Sequence, residues 1–251
     1  MFIRQLLPRI TTLALLQFVI AASAVLVSAT YAEDTAGRPR RVQSTGILTD
    51  RLSKKDLQRW RVIEQIVLSQ DKDGQPLYPT LRGLYEWAET SGHAIYIELP
   101  SDQRVVSSTA GNFSVEKFDP SGERHIGVVR LYLSNIDAAY VGSKAARENG
   151  FIPLQGLRKE ARYAEVLGHE LAHMAYILSN LERTKLVREL VENTNELLLN
   201  KSRQPVFVPL GLEMLSLLDR RDALLKELET QAEAMEEIVW RELYNNPRER
   251  Q

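Results

Sequence analysis

The sequence predicts an α+β fold: a mostly helical body with a small antiparallel sheet ahead of its most distinctive helix. Two patterns and one bulk property predict it. Apolar residues recur at helical spacing from Ser53 to Gln70 and again over most of the chain after Leu157. Between His93 and Asn135 they alternate at strand spacing instead. Composition is that of an ordinary globular protein, with 44% hydrophobic and 26% charged residues, so the chain can bury a sizeable core.

The elements follow in order. Met1–Arg9 is short and positively charged, and Ile10–Ala29 is apolar and uncharged. Thr30 and Ala32 supply the small residues of a cleavage site, so residues 1–32 read as a secretory signal peptide cut after Ala32. The apolar run also reaches the length of a spanning helix, which leaves an uncleaved N-terminal membrane anchor as the alternative. Either way the remainder is expected to be periplasmic or secreted. Residues 33–52 are polar, with Gly, Pro, Arg and Ser, and are expected to be a flexible linker. Residues 53–251 are expected to form one domain.

Within that domain Ser53 is the expected N-cap of a helix whose apolar stripe is Leu57, Trp60, Ile63, Ile66 and Val67. The stretch "DKDGQPLYP" breaks it. Asp71 and Asp73 resemble part of a calcium loop, but the remaining ligand positions are missing, so a turn is expected. A second helix runs to a stop at Gly92. Strands follow in "HAIYIELP", "RVVSST", "FSVEKF" and "HIGVVRLYLSN", the last being the strongest. The final hundred residues read as helices, with "KSRQPVFVP" as a break and one long helix or two after it.

Several function classes drop out. Formal net charge is −1, which gives no bulk attraction to nucleic acid or anionic lipid. There are no cysteines, so disulfides, thiolate metal sites and cysteine nucleophiles are excluded. No glycine run forms a phosphate-binding loop, and no serine sits in a nucleophile elbow.

One motif remains. Gly168–Tyr176 reads "GHELAHMAY", and two of the four histidines of the chain fall within it. His169 and His173 are one helical turn apart on the same side, so both imidazoles can share one metal ion. Glu170 lies beside them, where a carboxylate can take a proton from water activated by the metal. H-E-x-x-H on a helix is for this reason the mark of a zinc metalloprotease. A catalytic zinc needs a third protein ligand. "MAYILSN" follows His173, no histidine occurs downstream, and a carboxylate is therefore expected. Glu229 and Glu233, four apart beside an apolar stripe, are the foremost candidates, with Glu192 as a further one.

Glu229–Glu233, "ETQAE", resembles the E-x-x-x-D motif of gluzincin metallopeptidases such as the thermolysin-like and HtpX-like groups, with Glu in place of Asp. The resemblance covers these two short motifs. It implies a zincin-like fold, Zn2+ held by His169, His173 and Glu229, Glu170 as general base, and Glu233 orienting a ligand histidine. It also implies a peptide or protein substrate, lying extended along the strand before the motif helix. Tyr244, Arg241 and His125 are candidates to stabilise the oxyanion. The competing expectation is a non-catalytic envelope interaction protein on a degenerate peptidase scaffold, against which the intact H-E-x-x-H argues.

Overall fold

The structure is a computed structural model that describes residues 45–100, 110–119, 121, 124–140, 157–202 and 212–250. The signal peptide, residues 33–44 of the expected linker and the "RVVSST" strand lie outside the described residues.

Four strands form one sheet among the described residues: β1 (Gly46–Leu48), β2 (Ala94–Glu98), β3 (Gly111–Lys117) and β4 (Ile126–Leu131), in the order β1-β2-β4-β3. Strands β1, β2 and β4 are parallel, and only β3 runs antiparallel, against β4. This corrects the expected antiparallel sheet. Helices α1 (Lys54–Val67) and α2 (Pro79–Thr90) link β1 to β2, and a crossover of that length is what a parallel pair needs. The missing clue was β1 itself. It falls inside the expected linker, but Ile47 and Leu48 pair with Ile95 and Tyr96, so the linker stops short of residue 46. Three residues carry too short a pattern to be recognised.

Ser53 caps α1 as expected, its hydroxyl accepting the Asp56 N–H at 3.2 Å. The apolar stripe of α1 buries Trp60, Ile63, Ile66 and Val67. Gly92, at φ 80°, lies in the left-handed region just past α2 and lets the chain turn directly into β2. Strand β4 is internal: Val128, Val129 and Leu131 are all fully buried, so both of its faces are covered. The strand ends sooner than the sequence predicts. Tyr132 accepts the N–H groups of Asn135 and Ile136, which starts α3 (Leu133–Tyr140).

Helix α4 (Lys159–Leu178) runs through the core, with Ala161, Ala164, Leu167, Leu171 and Met174 buried. It packs on β3 and β4, on α1 and α2, and on α6 (Leu212–Asn245), a single unbroken helix; α5 (Leu181–Ser202) lies between α4 and α6 in the chain. Gly168 faces two of these helices. A Cβ there would meet Leu81 of α2 at 3.2 Å and Val239 of α6 at 3.4 Å. The bare glycine therefore relieves the contact with Leu81 of α2, one residue before the first motif histidine. Near the chain's end, Glu249 is buried, accepts the Tyr78 hydroxyl at 3.0 Å and pairs with Arg158. That contact ties the end of the chain to α2 and to the start of α4. Among the described residues no helix is long and apolar enough to cross a membrane.

Candidate metal centre

His169 and His173 lie one turn apart on α4, and their Nε2 atoms are 3.0 Å from each other. Across from them on α6, Glu229 Oε2 is 3.7 Å from both Nε2 atoms. For an ion bound by N and O donors at about 2.0–2.2 Å in tetrahedral geometry, the donors sit about 3.3–3.6 Å apart. The three separations bracket that range. Together with the chemistry of the donors, they make His169, His173 and Glu229 a group that could hold a metal ion.

The two histidines are held by different means. His169 Nδ1 is 2.8 Å from Glu236 Oε2. A carboxylate can only accept, so the proton sits on Nδ1 and Nε2 is left facing the cluster. His173 Nδ1 is buried without a hydrogen-bond partner among the described residues, and the ring stacks on Phe113 of β3, with centroids 5.0 Å apart. Arg162 supports Glu236 from behind at 3.6 Å while pairing with the buried Glu165.

Electrostatics follow from this packing in the metal-free protein. Burial acts to lower the His169 pKa, but the Glu236 hydrogen bond and the charges of Glu170, Glu236 and Glu229 outweigh it and raise the value to about 9. Burial, then the neighbouring His169 charge, pushes His173 down to about 3. An imidazole that resists protonation keeps its lone pair available as a ligand. Glu170 is enclosed between α4 and β3, and burial raises its pKa to about 8. Burial also raises that of Glu229.

Glu236 is the residue that sequence reasoning missed. The resemblance implied Glu233 as the partner of a ligand histidine, but Glu233 is exposed and Glu236 makes the bond. Around α6, Glu236 is turned about 20° from Glu229 to one side and Glu233 about 40° to the other, and it is the Glu236 side that meets His169. The usable signal was this smaller offset, hidden in a run rich in glutamate. Glu192 is also exposed and pairs with Arg188, away from the cluster. Of the oxyanion candidates, Tyr244 stacks on Trp240 and Arg241 pairs with exposed Glu237. His125 is buried against His93 and Phe118. None of the three touches the cluster in the contacts they make.

Glu236→Gln should lower metal affinity by about 10 to 100-fold, because the amide no longer fixes the His169 tautomer, and Glu233→Gln should leave it unchanged. Competition titration against a chelating dye measures both. Equal effects of the two variants would remove the role given to Glu236.

Comparison with family models, curated proteins and solved structures finds no match for this chain.

Proposed function

We propose that this chain is a zinc-dependent metallopeptidase of the gluzincin type. The observation that carries the reading is the convergence of two imidazole nitrogens and one carboxylate oxygen, with a second carboxylate, Glu170, next along the same helix. Two imidazoles and a carboxylate suit zinc, and the absence of cysteine removes the thiolate alternatives. When bound, zinc would polarise a substrate carbonyl and lower the pKa of water toward 7.

The residues of the chain would do the rest. His169 and His173 would bind through Nε2 and Glu229 through its carboxylate. Glu236 would keep the His169 proton on Nδ1 and Glu165 and Arg162 would hold Glu236 in turn. Glu170 would take a proton from the attacking water and return it to the leaving amine. Burial favours the protonated form of this carboxyl and a neighbouring cation the ionised form, so both states are within reach for the two transfers. An extended substrate would add beside β3 through main-chain hydrogen bonds. The sequence pointed to β4 for that role, but β4 has neighbours on both sides, and β3 ends the sheet among the described strands. The deciding experiment is peptide hydrolysis by the zinc-loaded protein compared with Glu170→Gln at equal zinc content.

The N-terminal pattern supports export of the domain across the inner membrane. Protein recovered from an envelope fraction is expected to begin at Glu33 on N-terminal sequencing. An intact Met1 on membrane-bound material would establish an anchor instead.

A further inference from the structure

We propose that Gly111, the first residue of β3, is the positioning residue for Glu170: its bare Cα forms the wall against which the carboxylate rests. A Cβ at 111 would lie 2.7 Å from Glu170 Oε1 and 2.9 Å from Glu170 Cγ, with Val166 Cγ1 also at 2.9 Å. All three distances are below the closest approach that a side-chain carbon makes. The glycine is not there for backbone reasons. Its φ is not among the positive ones, which occur at Gly46, Gly74 and Gly92. Glycine inside a strand weakens the strand, so a strand glycine in an ordinary conformation points to a close approach. Here what approaches is the functional carboxylate.

The carboxylate is buried, and burial, followed by the charges of His169, Glu229 and Glu236, has the largest influence on it. The wall at Gly111 adds shape to these influences, with the next strand residue on the same face, Phe113, stacked on His173. One strand thus contacts both the base and one of the residues of the metal-binding group. The role of Gly111 as a positioning residue rests on the peptidase reading; the contact itself does not.

The experiment is a double-mutant cycle, read by thermal unfolding of the full chain without metal, followed by kinetics on an internally quenched peptide. Glu170→Ala removes two of the three atoms that collide with a new methyl and leaves Val166 Cγ1. Gly111→Ala is therefore expected to lower the Tm by about 3–10 °C in the wild-type background and by clearly less in the Glu170→Ala background, where only the Val166 contact remains. If Gly111→Ala fails to fold while the double variant folds, the contact is equally supported. An equal loss in both backgrounds, or no loss in either, overturns the proposal. In the kinetics, Gly111→Ala should keep its zinc content and lower kcat at least about tenfold, with KM changed less than threefold. A loss confined to KM, or an unchanged kcat, overturns the positioning role. A wild type that shows the Tm coupling but neither binds zinc nor cleaves peptides overturns the peptidase reading and leaves the contact standing.

Discussion

Glu170→Gln is expected to fold, to retain zinc, and to lose peptide hydrolysis by at least roughly 100-fold. The substitution changes one oxygen to an amide nitrogen and keeps the volume that fills the space between Gly111 and Val166. The two imidazoles, Glu229 and Glu236 are untouched, so the metal-binding group should survive. What disappears is the group that can accept a proton. Burial already opposes charge at this position, so removing the carboxylate should not destabilise the fold. The measurement is hydrolysis of a mixed peptide library by both proteins, with zinc determined by elemental analysis on the same samples. Hydrolysis by the variant at the wild-type rate would sink the mechanism. A zinc-loaded wild type that cleaves nothing in the library would favour the reading as a non-catalytic interaction protein.

His173→Ala and Glu229→Gln are expected to abolish tight zinc binding. Each leaves two ligands where a catalytic site needs three, so the loss should exceed the roughly 100-fold that removal of an outer partner costs. The two variants probe opposite walls, His173 on α4 and Glu229 on α6, so the same outcome from both would tie the two helices to one ion. His173→Ala also leaves Phe113 without its stacking partner and is expected to lower stability by about 1–3 kcal/mol. Glu229→Gln removes a charge that burial disfavours, so its effect should be confined to the metal. Elemental analysis after dialysis checks both. Stoichiometric zinc in either variant would mean that the ligand set is wrong.

How far the sequence foretold this arrangement depended on how local each signal was. The helices were legible because their cues lie within one element: the Ser53 cap, the stripe from Leu57 to Val67, and Gly92 as a stop. The motif histidines were legible for the same reason, since four residues along a helix fix their relation. Facing Glu229 was reached through a resemblance, and the structure brings it to the histidines. Glu236 was not reached, because which of several glutamates turns inward depends on how α6 is rotated against α4. That rotation is decided by packing between residues distant in the chain, such as Gly168 of α4 and Val239 of α6. The sheet failed on the same ground. Parallel or antiparallel pairing is decided by long crossovers, and a three-residue strand such as β1 is visible only once β2 lies beside it.

Strand β3 has one further consequence, for solubility. Among the described strands it has a neighbour on one side only, and a sheet border that can receive a substrate can equally receive a second copy of itself. Its own irregularity limits that hazard. The register shifts between Val115 and Lys117, which bends the border after its first five residues. Glu116 and Lys117 put opposite charges at the bend, and both are exposed. The stretch left regular, Gly111–Val115, is long enough to align a short peptide and too short to nucleate stacking of one molecule on the next.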